Sequence, residues 1–239
     1  MTAVGNRRHV LGLLATGPNL SFWYFDRGGG LFSTPLHLVT DATQIASALM
    51  RLALSCAAAF GLEPIIQSSS PWEAFETVKA SYVIIDGLRF LLQKTLHVSR
   101  DLEGRGTVVF AARKGIEHEE HASLHADSIP ADVIVKLSWQ DVRAQSEDML
   151  FRRAQEHRVE GIAKLYCSSK PACLSTGPRR LLSLLAGTHY HDRELRVQVM
   201  GPLCLPLYRV RDIEVFKSAF RSLVEGTVHH SLRLYIHTH

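Results

Sequence analysis

Cysteine is scarce in this chain, and its few residues lie far apart. The four cysteines, Cys56, Cys167, Cys173 and Cys204, form no Cys-x-x-Cys pair. Their spacing therefore matches neither a zinc site nor a disulfide framework. Reduced thiols are typical of proteins in the cytosol and nucleus. We therefore expect an intracellular protein, cytoplasmic or nuclear, with no metal site built on cysteine.

Long apolar runs are missing as well. The longest helix-like apolar stretch, residues 46–62, is broken by Arg51 and falls short of the roughly 18 residues of a membrane helix. The apolar segment 10–15 follows Arg7 and Arg8, but it is shorter than the roughly seven residues that a signal peptide needs. We therefore expect no membrane partner.

An excess of one charge is absent too. The chain has 27 basic and 23 acidic residues, and the resulting net charge of +4 is spread along 239 residues. So small an excess gives no reason to expect a nucleic-acid partner. A hydrophobic content of 46% with 21% charged residues is typical of a folded globular protein. The sequence also shows no internal repeat and no low-complexity tract.

The first 70 residues are predicted to form one unit, a β-hairpin with a helix. Its strands are expected at residues 9–15, 20–25 and 31–38. The triplet Gly28-Gly29-Gly30 lacks the Lys-Ser/Thr pair and the helix start of a phosphate-binding loop, so a plain turn is favoured. A helix is expected from Asp41 to about Phe60, with Gly61 as its C-cap residue.

Strand-like segments dominate the chain after a loop at 68–71. They cover residues 82–86, 88–92, 107–112, 133–137, 162–167 and 195–200. Loops are expected at 114–130 and 168–178, because both segments are polar. Helices are expected at 140–157 and, with a long amphipathic pattern, from 212 to about 236.

Two polar groups in these segments have a plain structural explanation. The first expected loop contains His118, His121 and His125, whose spacing is not that of His-Glu-x-x-His. A solvated insert is favoured over a metal site there. The charges at 192–194 are interpreted as an exposed loop before a core strand, where Arg193 and Glu194 brace neighbouring parts of the fold.

The most informative stretch is the β-branched run that ends at Lys136, because it predicts a buried strand that delivers one cation to a site. Glu147 lies eleven residues further on, about two turns into the helix expected there. Upstream, Gly104-Arg105-Gly106-Thr107 lies between two strand-like segments. A glycine turn, a strand lysine and a helix glutamate, in this order, are typical of the nucleotide-binding half of a protein kinase. The alternative is a plain hairpin turn, a solvated lysine and an exposed glutamate.

Four segments together resemble the fungal-type protein kinase family. They are Phe-Trp-Tyr-Phe-Asp-Arg at 22–27, Gly-Arg-Gly-Thr at 104–107, Val-Lys-Leu-Ser-Trp at 135–139 and Asp-Arg-Glu-Leu-Arg-Val at 192–197. The resemblance implies an α+β fold. It would consist of a β-hairpin and helix extension at 1–70, a kinase-like small lobe of antiparallel sheet plus helix at 71–203, and the start of a helical large lobe at 204–239.

The resemblance also implies ATP as cofactor and transfer of its γ-phosphate to serine or threonine of a protein. Lys136 would contact the α- and β-phosphates, and Glu147 would hold that lysine by an ion pair. The glycines would let the backbone approach the phosphates, and the segment after the strand at 195–200 would be the hinge that binds adenine. The residues expected at the nucleotide are Gly104, Gly106, Thr107, Lys136, Gly201 and Leu203.

The resemblance has one departure. Members of the family continue after the long helix into a His-Arg-Asp-type loop and an Asp-Phe-Gly-type segment that binds metal. This chain ends at His239, about where the loop is expected to begin. Mg²⁺ is therefore expected only with the following lobe, and no catalysis is expected from residues 1–239 alone. The alternatives are a truncated pseudokinase, with a protein partner covering the final helix, and an incomplete gene model.

Overall fold

The computed structural model describes residues 7–68, 81–99, 101, 103–115, 128–159, 162–204, 209–221 and 224. These residues form two antiparallel sheets and few helices, which is an α+β arrangement. The expected histidine-rich insert at 118–125 and most of the expected loop at 68–71 lie outside the described residues. Among the described helices, none has both the length and the apolar character that crossing a membrane requires.

The first sheet contains four short strands. They are β1 (His9–Thr16), β2 (Asn19–Asp26), β3 (Gly29–Phe32) and β4 (Leu36–His37). β1 pairs with β2 along its whole length, and β2 pairs with β3 at one end and with β4 at the other. The expected single strand at 31–38 is therefore two strands. The turn expected at the glycine triplet is confined to Arg27 and Gly28, because Gly29 and Gly30 already pair with β2 as the start of β3.

Helix α1 (Ala42–Ala53) follows this sheet and is shorter than predicted. It ends at Ala53, well before Phe60, and just beyond its end the Ser55 hydroxyl donates to the Arg51 carbonyl at 2.7 Å. Gly61 is consequently not a helix C-cap. Its φ of +83° and the absence of a side chain instead allow it to lie against the backbone of His9, where a Cβ would overlap the carbonyl oxygen.

The second sheet has six strands. They are β5 (Tyr82–Ile85), β6 (Leu88–Val98), β7 (Val108–Lys114), β8 (Asp132–Asp141), β9 (Lys164–Cys173) and β10 (Arg193–Gly201). Their order across the sheet is β5-β6-β7-β8-β10-β9, and each neighbouring pair is antiparallel. The edge strands β5 and β9 approach each other, so the sheet curls around one core.

The core lies on the inner face of this curled sheet. Val133, Val135, Leu137 and Trp139 alternate along β8 and are all buried. They pack in one cluster with residues such as Phe110 and with apolar side chains of β6 and β10. Because side chains alternate along a strand, Lys136 projects from the opposite face of β8.

Two helices connect the last strands, and both differ from the prediction. Helix α2 (Glu147–Glu156) begins seven residues later than expected, because residues 138–141 continue β8 by pairing with β10. Glu147 is thus the first residue of α2, not two turns inside it. The expected loop at 168–178 is mostly strand β9. Helix α3 (Pro178–Ala186), which was not predicted, begins at a proline and ends at Gly187 with φ of +62°.

The predicted helix after Asp212 is confirmed where the structure describes it. Residues 213–221 and 224 are helical and are named α4 here. The Asp212 carboxylate accepts hydrogen bonds from the backbone N–H groups of Glu214 and Val215 at 2.8 and 3.1 Å, which caps the helix start. All described residues of α4 are exposed, including Phe220 at 50%.

One buried ion pair joins the two sheets. Asp26 ends β2, and Arg179 belongs to the first turn of α3 between β9 and β10. The Arg179 Nε donates to both carboxylate oxygens of Asp26 at 3.0 and 2.9 Å, and its Nη2 donates to Asp26 and to the Gly29 carbonyl. The side chains are 3% and 0% exposed, so the pair is shielded from water.

Replacing Asp26 by asparagine is expected to destabilise the protein strongly. The guanidinium of Arg179 would stay buried without a counter-charge, and breaking such a pair costs about 3–5 kcal/mol. The matched control is Asp132→Asn, which removes the exposed pair with Arg113, a pair worth about 0–1 kcal/mol. Urea denaturation measures both free energies of unfolding, and equal small losses would contradict the role given to the buried pair.

Candidate functional site

The centre of the candidate site is an ion pair between Lys136 and Glu147. β8 carries Lys136 on its outer face, and α2 begins with Glu147 directly above it. The Lys136 Nζ lies 2.7 Å from Glu147 Oε2. The side chains are 18% and 25% exposed, so each is largely covered while one side remains open to water. The structure therefore brings together the two residues that the sequence analysis paired.

Gln140 holds the glutamate from the same strand. It follows Lys136 on the outer face of β8, with Ser138 between them. The Gln140 Nε2 donates to Glu147 Oε2 at 3.3 Å and to Ser138 Oγ at 3.1 Å. Gln140 was not predicted as a site residue, because its segment was expected to begin a helix. The alternation of polar residues along β8 was the signal that could have found it.

The glycine turn reaches the same carboxylate. Residues 103–107 form the last part of the connection from β6 to β7, and Arg105 at the tip donates from Nη2 to Glu147 Oε1 at 2.6 Å. The carbonyl of Arg105 accepts from the Trp139 N–H of β8 at 2.7 Å, so the turn is also tied to the sheet by its backbone. The turn, the strand lysine and the helix glutamate therefore meet at one place, Glu147.

The two glycines of this turn differ in their surroundings. Both have positive φ, +93° for Gly104 and +47° for Gly106, which favours glycine over other residues. A Cβ at Gly104 would meet nothing within 4 Å, so this part of the turn has space beside it. A Cβ at Gly106 would overlap the guanidinium of Arg27 from the first sheet. In the sequence, Arg27 was distinguished only as the last residue of the segment at 22–27.

Two opposing effects set the pKa of Glu147. Burial raises the pKa of this carboxyl, but the hydrogen bonds and charges of Lys136 and Arg105 outweigh burial, so the pKa lies below its ordinary value. The carboxylate is therefore ionised at neutral pH. It remains available to hold the lysine ammonium in one position.

A second charged group attaches α2 to the sheet. Asp148, the second residue of α2, and Glu194 on β10 both pair with Arg196, whose side chain is 7% exposed. Lys170 of β9 lies 3.4 Å from Glu194. Burial alone would raise the pKa of Asp148, but hydrogen bonds from Ser146 and the charge of Arg196 hold it below its usual range. The two pairs of Arg196 attach α2, and hence Glu147, to β10, whereas the Lys170 side chain is 56% exposed and makes only a solvent-screened pair with Glu194.

The expected loop at 192–194 is largely strand. β10 begins at Arg193, so Arg193 and Glu194 pair with Asp141 and Gln140 of β8. Asp192 is half-buried rather than fully exposed, because its carboxylate accepts from the Ser175 N–H at 3.0 Å. Glu194 therefore has a structural role in the ion-pair group that holds α2.

The remaining predicted residues lie on the glycine turn and at the end of β10. Thr107 is the last residue of the glycine turn, and its carbonyl accepts from the Ser99 N–H at 2.8 Å. Gly201 ends β10 and is buried, and Leu203 follows it in a half-buried position. Among the described residues, no three His, Cys, Asp or Glu side chains cluster in a way that would hold a metal ion.

Comparison with known proteins identifies the family of this chain. The family model described as fungal protein kinase matches residues 1–172, which is well over half of the chain. The chain belongs to the fungal protein kinase family. No curated protein matches the chain, and no solved structure does.

The pKa of Glu147 gives a direct test of the site geometry. In the Lys136→Met variant, the Glu147 carboxyl stays buried but loses the hydrogen bond and charge of Lys136, which lower its pKa most. The pKa of Glu147 should therefore rise. A smaller rise is expected for Arg105→Ala, because Arg105 is more exposed. Carbon-detected NMR of the glutamate carboxyl during a pH titration measures both changes.

The same shift predicts the pH dependence of stability. Because the folded-state pKa is below the unfolded value, the ion pair stabilises the protein above the unfolded pKa and loses this contribution as pH falls through the folded pKa. In Lys136→Met, the free energy of unfolding should therefore fall less as the pH is lowered from the unfolded pKa of Glu147 through its folded pKa. An unchanged Glu147 titration in both variants would show that the three side chains do not meet in solution.

Proposed function

We propose that this chain binds ATP and supplies the nucleotide-binding half of a protein kinase that phosphorylates serine or threonine of a protein. The observation that carries the proposal is the Lys136–Glu147 ion pair at 2.7 Å beside a glycine turn. The order along the chain supports the proposal, because a glycine-rich turn, a strand lysine and a helix glutamate also follow one another in protein kinases.

Each residue has a role that follows from its position. The Lys136 ammonium, held by Glu147, would contact the α- and β-phosphates. The space beside Gly104 allows the backbone of the turn to approach the phosphates. The backbone of Gly201 and Leu203 would contact the adenine. Mg²⁺ bound with the phosphates would neutralise part of their charge.

Arg105 would add a second positive charge to this site. It pairs with Glu147 at 2.6 Å, yet its side chain is 53% exposed and belongs to the glycine turn. A guanidinium is well suited to phosphate oxygens, because it can donate two parallel hydrogen bonds. In the proposed complex Arg105 would turn from Glu147 toward the phosphates, leaving Lys136 as the partner of Glu147.

Phosphoryl transfer needs further groups. In protein kinases the catalytic-loop aspartate accepts the proton of the substrate hydroxyl, and the aspartate of Asp-Phe-Gly holds Mg²⁺. Neither motif occurs in residues 1–239. The proposal therefore assigns nucleotide binding to these residues, and transfer only to a chain that also has the catalytic loop.

A second candidate function is protein binding through α4. This helix exposes a run of apolar side chains, including Val215 at 55% and Phe220 at 50%. An apolar helix face of this kind is typical of a surface that another protein covers. A pure binding module of the pseudokinase type would not bind ATP, so the nucleotide experiment below separates the two candidates.

Replacing Lys136 by methionine should weaken Mg-ATP binding. Loss of one hydrogen bond to a charged group costs about 1.5–3 kcal/mol, which corresponds to an affinity roughly ten- to a hundredfold lower. Adenosine, which has no phosphates, should bind both proteins equally. Isothermal titration calorimetry measures the four affinities.

The matched control is Lys170→Met. Lys170 is also a strand lysine paired with a glutamate, at 3.4 Å, but it lies on the edge strand β9 and not beside the glycine turn. Its replacement should leave ATP affinity unchanged. Equal losses in the two variants, or no ATP binding by the unaltered protein, would overturn the proposal.

A further inference from the structure

Arg27 connects the first sheet to the glycine turn. It lies in the short connection between β2 and β3 and is only 5% exposed. Its guanidinium rests directly against Gly106, where a Cβ would overlap the Cζ and Nε atoms. Glycine is therefore favoured at position 106 for two reasons. The Arg27 guanidinium occupies the space that a side chain would need, and the backbone has a positive φ.

The contact extends along the glycine turn. The Arg27 Nη1 donates to the carbonyl of Asp101 at 2.5 Å, just before the turn. The Arg27 carbonyl accepts a longer hydrogen bond from the Gly104 N–H at 3.4 Å. A Cβ at Gly29 would lie 3.0 Å from the carboxylate of Glu103, so the two segments also approach each other there. The connection between β2 and β3 thus lies along the whole turn.

The β2–β3 connection is itself fixed in place. The Asp26 carboxylate accepts from the Gly28 N–H at 2.7 Å, which closes the turn around Arg27. The same carboxylate is held by the buried guanidinium of Arg179, which also donates to the Gly29 carbonyl. Arg27 is therefore presented to Gly106 by a rigid support and not by a mobile loop.

The surroundings of Arg27 affect its positive charge in two opposite ways. Burial lowers the pKa of the Arg27 guanidinium, while Asp101 and Asp26 act in the opposite direction. A charged side chain buried to this degree is tolerated when fixed acceptors surround it. These acceptors include the Asp101 carbonyl at the base of the glycine turn.

We infer that Arg27 is a positioning residue for the glycine turn, and that it sets the conformation from which Arg105 and the turn backbone reach the nucleotide phosphates. The role toward ATP rests on the proposed function, whereas the hold on residues 103–107 does not. The first sheet is then part of the nucleotide site and not an independent extension.

Hydrogen exchange of the glycine turn tests the hold directly, in the absence of nucleotide. Exchange of the amides at 103–107 should be about tenfold or more faster in Arg27→Ala than in the unaltered protein. Arg27→Lys keeps the charge and most of the length, and it should restore part of the protection.

The matched control is Arg113→Ala. Arg113 pairs with Asp132 at 3.1 Å and lies near the end of β7 that is remote from the glycine turn. It should leave exchange at 103–107 unchanged. Unaltered exchange in Arg27→Ala would overturn the inference. If Arg27→Ala does not fold, Arg27→Lys takes its place, and its exchange at 103–107 must then exceed that of the unaltered protein.

A double-mutant cycle shows whether the contact with Gly106 is direct. Gly106→Ala alone must displace the Arg27 guanidinium and also strains the backbone. In the Arg27→Ala background only the strain remains, so the second substitution should shift the unfolding midpoint less than it does alone. Additive shifts would show that the two residues do not act on each other.

Nucleotide binding then separates a positioning role from a purely structural one. Arg27→Ala should weaken ATP binding about tenfold while leaving adenosine binding unchanged, because only the phosphates contact the glycine turn. A merely structural residue would weaken both ligands or neither, which would overturn the role toward ATP. If the unaltered protein binds neither ligand, the proposed function fails, and the exchange experiment still decides whether Arg27 holds the turn.

Discussion

The buried ion pair between Asp26 and Arg179 is the interaction on which the arrangement of this molecule depends. It joins the last residue of β2 to the first turn of α3, and so attaches one sheet to the other. Because water is excluded from the pair, moving the two sheets apart slightly would break the ion pair before water could solvate either charge. Such a separation is therefore strongly unfavourable. The position of the β2–β3 connection is therefore determined, and with it the position of Arg27 against the glycine turn.

The group of Lys136, Arg105 and Glu147 carries two positive charges and one negative charge, which favours an anion beside it. Glu147 accepts hydrogen bonds from both Lys136 and Arg105. One carboxylate between two cations leaves a positive charge at a place that is partly open to water. A phosphate group entering beside the glycine turn would compensate that charge, and Glu147 would still keep the lysine in position. The same carboxylate thus orients the lysine without cancelling the attraction for the ligand.

Local patterns in the sequence were sufficient for the centre of the site. The β-branched run before Lys136 predicted a buried strand that delivers this lysine to a site, and the two glycines predicted a turn at 104–107. The start of α2 was wrong by seven residues, because pairing of residues 138–141 with β10 is a tertiary effect that a local helical pattern does not reveal. Helix α3 was missed although its proline start and glycine end were visible, because its neighbourhood is rich in serine and proline.

Glycine at a turn has two physical causes, and this site contains one of each. Gly104 has open space beside it, as expected where a ligand approaches the backbone. At Gly106 the space that a side chain would need is filled by Arg27 of the same chain. No local pattern could distinguish the two, since Arg27 and Gly106 are far apart in sequence and on opposite sides of the expected boundary at residue 70. The first sheet therefore belongs to the physical unit that shapes the glycine turn.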